Sequence, residues 1–146
     1  MPLPEILFYA IHLPLLPAWA LLFFAPEARI TRLYVHSGAV PLILGLVYAG
    51  FLIAGVFFGQ SHPDAGMHNL PSVTNLFSHP VGVLTGWSHF IVFDLFVGAW
   101  IARDAREQGL GHLGTLPCLF FALLFGPLGL LLHILRRLAL GRGMML

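Results

Sequence analysis

Apolar residues in this chain gather into long unbroken stretches instead of alternating with polar ones. Four stretches stand out, at residues 6–25, 38–58, 81–102 and 116–135. A helix rising about 1.5 Å per residue needs roughly twenty apolar residues to cross a hydrocarbon core of ~30 Å. The pattern therefore predicts an all-α polytopic membrane protein, a four-helix transmembrane bundle. No extended polar linker divides the chain, so residues 1–146 read as a single transmembrane domain. Pro14 and Pro17 fall inside the first stretch, which should be kinked or broken. Pro41 lies near the start of the second, where a missing N–H costs little. Gly126-Pro127 should bend the fourth near its middle.

Residues 59–80, between the second and third stretches, are rich in Gly, Pro, His, Ser and Asn, with Asp64 the one acid and no Arg. Within them Leu70, Val73, Leu76 and Phe77 recur at helical spacing. A short interfacial or re-entrant helix fits that spacing, and so does a plain loop. Arginines follow the first stretch (Arg29, Arg32), the third (Arg103, Arg106) and the fourth (Arg136, Arg137, Arg142). Four full spans would set four arginines on one side against three on the other, a weak bias under the positive-inside rule. Either the tail is overridden, or one kinked segment does not cross fully. Both arginine loops are expected on the cytoplasmic side.

Composition supports the membrane class. Of 146 residues 58% are hydrophobic and 9% charged, and the mean hydropathy is +0.89, where soluble domains carry about 25% charged residues. All seven basic residues are Arg, with no basic stripe interleaved with aromatics, so nucleic acid is not an expected partner. The single Cys118 excludes an internal disulfide and reads as a small buried hydrophobe. The N-terminus lacks the basic region and cleavage site of a signal peptide, so the first stretch is expected to be retained.

The third stretch carries the chemistry. Asp94 lies thirteen residues after Val81 and eight before Ala102. A carboxylate at the centre of a span costs about 2.5–3.5 kcal/mol. Asp94 should therefore face a polar cavity, a partner helix or a ligand, serving either function or a structural clasp. His89, five residues earlier, lies well over a right angle away around the helix. His89, Phe93, Phe96 and Trp100 form one stripe, and Trp87, Asp94 and Gly98 another. Aromatic rings beside isolated acid–base groups suit a long, flat apolar ligand, and equally suit tight helix packing. The sign-alternating run Arg103-Asp104-Ala105-Arg106-Glu107 is expected to be a solvated helix end.

Eight histidines raise the question of a metal, but none are three or four residues apart, and no HExxH, GxSxG or P-loop motif occurs. No metal and no cofactor is therefore expected. A haem held by histidines from different spans, with His12, His89 and His133 as candidates, stays open as an alternative. Transport is a weaker reading for four spans without an inverted repeat, unless the chain forms an oligomer.

The residues Asn75-Leu76-Phe77, His79-Pro80 and Gly86-Trp87-x-His89-Phe90-x-x-Phe93-Asp94-Leu95-Phe96-x-Gly98-x-Trp100 form a long signature. Arg103-Asp104-Ala105, His112, Pro117-Cys118-Leu119-Phe120 and Phe125-Gly126-Pro127-x-Gly129-Leu130 extend it. Together they resemble the abscisic-acid-deficient-4-like family of membrane proteins, over most of the chain and most specifically from Asn75 to His133. Plant members are implicated in forming neoxanthin from violaxanthin in plastid membranes. The resemblance implies a protein that handles a carotenoid or other isoprenoid. Its chemistry would be an isomerisation in which an epoxide opens while a neighbouring proton leaves, giving an allene and a tertiary hydroxyl. That reaction needs an acid and a base and in principle no redox cofactor.

On that reading His89 and Asp94 are the catalytic candidates, with the acid and base roles unassigned between them. Asn75, Trp87, Phe90, Phe93, Trp100 and Asp104 are the substrate-binding candidates. The partners expected are the lipid bilayer and an apolar carotenoid or isoprenoid ligand. With no transit peptide in view, a bacterial inner membrane is the expected location, against a plastid membrane for plant relatives. A non-enzymatic carotenoid-binding or scaffold protein is the alternative from a different class, since a shared fold does not fix function.

Overall fold

The computed structural model describes residues 1–143, which form eight helices and no strands. Helix α1 (Leu3–His12) begins with Pro at its first turn and Glu5 close behind, both favourable at a helix N-terminus. It gives way to α2 (Leu15–Phe24) at Leu13-Pro14. Pro14 has no N–H to donate and its ring crowds the carbonyl four residues back, which breaks the helix. Leu13 bonds instead to the nearer Ala10 carbonyl at 3.2 Å. The break expected in the first stretch is thus present, and α1 and α2 together run Leu3–Phe24.

A tight turn leads into α3 (Arg29–Tyr34), stapled where the Thr31 hydroxyl donates to Ala25 O at 2.5 Å. Gly38, in the left-handed region at φ +81°, joins α3 to α4 (Ala39–Phe57). Such a φ is open to glycine and costly for a side chain. The short α5 (Leu70–Leu76) follows, so the helical spacing noted there does form a helix. Its start is a reciprocal cap in which Asn69 and Ser72 each bond the other's backbone N–H. Helix α6 (Pro80–Glu107) is the longest at 28 residues, about 42 Å. It is the central helix, packed against α1, α2, α4, α7 and α8. Leu95 and Ile101 on α6, Leu22 on α2, Leu44 on α4 and Leu119 on α7 are fully buried around it. Gly98 makes room for the Trp19 indole, whose ring lies 2.5 Å from where a Cβ would stand.

The fourth expected span, residues 116–135, requires a correction. It divides into α7 (His112–Leu124) and α8 (Gly126–Ala139), separated at Phe125 by a non-helical backbone of φ −149° and ψ 77°. The two helices lie antiparallel. A Cβ on Gly129 would strike the Ala122 backbone. At the other end of the pair, Arg136 reaches back to Thr115 Oγ1 at 2.8 Å and Gly111 O at 3.1 Å. The cause is local. Pro127 cannot donate a helical bond, and glycines at 126 and 129 let two backbones approach closely. At 13 and 14 residues, about 20 Å each, neither helix matches a ~30 Å core. Three segments are long and apolar enough to cross one: Leu3–Phe24, Arg29–Phe57 and Pro80–Glu107.

The hairpin also settles where the charges lie. Arg103 bonds His36 at 3.2 Å, joining the end of α6 to the α3–α4 corner. His112 bonds Phe23 O at 2.8 Å, joining the start of α7 to the end of α2. Arg137 bonds Asp104 at 2.9 Å, bringing the end of α8 to the same place. All seven arginines therefore gather at one end of the bundle, while Glu5 and Asp64 lie toward the other. That arrangement is compatible with the second alternative left open by the arginine distribution, since neither hairpin helix is long enough to cross a ~30 Å core. The flanks stay apolar: Leu42, Ile43 and Leu46 on α4 are each more than half exposed. Patches of that kind are rarely left facing water.

Candidate functional site

Two polar positions on α6 meet the hairpin. Ten residues separate them, about 15 Å along the helix. The deeper one is Asp94, half-buried, whose carboxylate lies directly against Gly126 and feels its backbone N–H. Gly126 is the first residue of α8. The N–H groups of Leu128 and Gly129 are taken by Phe125 O, and Pro127 has none, so Gly126 is the donor the helix start can offer. A methyl group on Gly126 would overlap the Asp94 carboxylate. The positive end of the α8 dipole thus rests on the carboxylate, an arrangement that favours negative charge there. Discontinuous helices that end within a bundle are a recurring way to build a polar site in apolar surroundings.

The shallower position is Asp104. It is 7% exposed and bonded to His133 Nε2 at 2.7 Å and Arg137 Nη1 at 2.9 Å. This corrects the expectation of a solvated helix end: Arg106 and Glu107 do point outward, but Asp104 faces α8 and is buried by it. His133 is completely buried, and Trp100 meets its ring edge-on at 5.3 Å. His133 Nδ1 has no hydrogen-bond partner among the described residues. His133 and Arg137 are four residues apart, hence on one face of α8. His133 was read from the sequence only as a candidate haem ligand, and Arg137 was not among the candidate site residues. That i, i+4 spacing of His133 and Arg137 in a largely apolar helix is the signal that points to them.

The remaining candidates are spread over other faces. His89 is exposed, and its ring lies tilted against Phe93 at 4.8 Å and Tyr48 of α4 at 5.9 Å. It therefore turns toward α4, while Asp94 turns toward α8, and the structure does not bring the two together. Trp87 donates its indole N–H to His12 Nε2 at 3.0 Å, and His12 Nδ1 bonds Phe8 O at 2.6 Å. Phe90 and Phe93 are each about half exposed on the flank. Asn75 lies in α5, with its carbonyl taken by Ser78. An apolar groove of about 230 Å³ opens between α1 and the start of α6, lined by Pro4, Glu5, Phe8, Tyr9, Pro80, Val83 and Leu84. Among the described residues no three His, Cys, Asp or Glu side chains converge as a metal-binding group.

Fold and site together define a small helical bundle with apolar flanks, organised around a carboxylate that meets a broken helix. The family model described as ABA DEFICIENT 4-like matches residues 6–133, and the chain belongs to that family. It is 28% identical over 122 residues to the Arabidopsis thaliana protein ABA DEFICIENT 4, chloroplastic, covering 81% of this chain and 54% of that relative. The chain thus spans about half the length of the curated relative it matches. No solved structure matches it.

Proposed function

We propose that this protein is embedded in a bilayer through three spans and a half-crossing hairpin, and that it isomerises an epoxide-bearing carotenoid or related isoprenoid. All seven arginines then face the cytoplasmic surface, in accord with the positive-inside rule. The proposed location is a bacterial inner membrane, with a plastid membrane as the counterpart in plants.

The observation that carries the catalytic reading is Asp94 at the N-terminus of α8. Lying about half a ~30 Å core from Asp104 at the arginine end, it sits near the depth of a bilayer midplane. The reaction needs no net change of redox state. The epoxide C–O bond breaks and its oxygen gains a proton. The neighbouring C–H loses one, and its electron pair forms the second double bond of the allene. Asp94 supplies one of the two proton-transfer groups. His89, on a separate face of α6 among Tyr48, Phe90 and Phe93, is the second group proposed, and the outward aromatic rings would lie along the polyene.

The test is expression in a strain that accumulates violaxanthin and related epoxides, followed by chromatography of the pigments. Conversion that disappears in Asp94→Asn and in His89→Ala is the expected result. Conversion that survives both substitutions rejects the site. A non-enzymatic carotenoid-binding or scaffold role is the second reading, favoured by the open groove and the half-exposed Phe90 and Phe93. It predicts pigment that co-purifies with the chain and an unchanged pigment profile. A Soret band in the purified protein would instead support the haem reading, although His12 and His133 each already commit Nε2 to a protein partner.

A further inference from the structure

A second polar feature lies outside the Asp94 region, at the arginine end. A cleft of about 50 Å³ opens between the ends of α2, α6 and α7, lined by Pro26, Glu27, His36, Arg103, Arg106, Thr115 and their neighbours. Arg103 is held in place by donating to His36 Nδ1 at 3.2 Å. Among the described residues neither Arg103 nor Arg106 forms an ion pair with a carboxylate. Helix α7 starts at the cleft with no side-chain cap on its first N–H groups. Its positive end adds to the two guanidinium groups. Arg136 lies across the same helix start, bonded to Thr115 and Gly111. Glu27, exposed at the rim, is the one carboxylate in the lining.

We infer that this cleft binds a phosphate group, carried by an anionic phospholipid at the membrane surface. The lipid assignment rests on the bilayer reading above; the phosphate assignment rests on the cleft alone. Two guanidinium groups and a helix N-terminus supply charge-assisted donors to one tetrahedral oxyanion. The cleft is open to the surface, so the rest of the lipid can lie outside it. Basic pockets between helices on the cytoplasmic side commonly take lipid phosphates in this way. The isomerase reading gives the cleft no part.

The test uses the full chain in zwitterionic detergent, titrated with short-chain phosphatidylglycerol, with phosphatidylcholine of equal chain length, and with inorganic phosphate at constant ionic strength. Saturable binding of phosphatidylglycerol is expected, with Arg103→Gln/Arg106→Gln weakening it roughly 30-fold. Arg29→Gln/Arg32→Gln removes the same charge from the same end, outside the cleft, and is expected to change affinity less than about threefold. Arg106→Gln alone, an exposed position, gives the answer if the double variant does not fold, with an expected loss of roughly fivefold. Equal losses in both double variants would show a diffuse charged face and overturn the site. Inorganic phosphate binding as tightly as the lipid would overturn the lipid assignment, and no binding of either would overturn the whole inference. None of these readouts depends on pigment conversion, so a failure here and a failure of the isomerase reading are separable.

Discussion

Replacing Asp104 by Asn keeps its shape and removes its charge, which tests what holds the hairpin to α6. The carboxylate now accepts from both Arg137 and His133, at 2.9 and 2.7 Å. An amide has one oxygen and one NH₂, and Arg137 offers only donors. The amide oxygen must therefore face the guanidinium, which turns the NH₂ toward His133 Nε2. The imidazole can accept that bond only by carrying its proton on Nδ1, a buried atom without a partner among the described residues. An unsatisfied buried donor costs about 1–3 kcal/mol. Removing one member of a buried ion pair costs about 3–5 kcal/mol. The two contributions overlap, so about 3–5 kcal/mol is expected in total, or roughly 10–15 °C in Tm for a chain of this size. The assay is thermal unfolding by circular dichroism in detergent at a fixed scan rate. A Tm within about 2 °C of the wild type would refute the reasoning, because the cluster would then contribute almost nothing. The triple replacement Asp104→Leu/His133→Leu/Arg137→Met, which leaves no charge in the cluster, is expected to recover most of the loss.

Impermeant maleimide labelling in oriented vesicles should modify Glu107→Cys and Leu140→Cys from one side and His68→Cys from the other; Leu140→Cys reacting with His68→Cys would restore a fourth full span. Buried Cys118, at 4% exposure, should stay silent in that experiment. Gly129→Ala drives a methyl into the Ala122 backbone, which cannot swing aside, so a loss at the upper end of about 1–3 kcal/mol is expected in the same unfolding assay. Gly126→Ala meets the Asp94 side chain instead; it should lower Tm less than Gly129→Ala yet abolish pigment conversion as Asp94→Asn does, and full conversion would remove the helix start from the mechanism. Trp87→Phe deletes the bond to His12 and should lower stability by about 1 kcal/mol, measured as a fall in Tm of a few degrees.

The candidate site was legible one residue at a time. A carboxylate in the centre of an apolar helix must find a polar partner wherever the fold places it, so Asp94 could be picked out without a structure. Its partner is a backbone N–H at position 126, and a backbone group has no signature in residue type. Asp104 shows the opposite case. Its neighbours Arg103, Arg106 and Glu107 have the pattern of a hydrated helix end. The face that α8 covers depends on a reversal at Phe125 that periodicity does not reveal.

Helical content and three segments long and apolar enough to cross a membrane were determined by the sequence alone, because both depend only on local composition and length. The break at Pro14 was equally local. Whether Gly126-Pro127 bends a helix or reverses it was decided only in the tertiary structure. Both outcomes break the same hydrogen bonds, and they differ in what α8 then meets. Here it meets Ala122 closely enough to need glycine at 129, the Asp94 carboxylate at one end, and Asp104 at the other. Those long-range contacts select the hairpin, and through it they place every arginine at one end of the bundle.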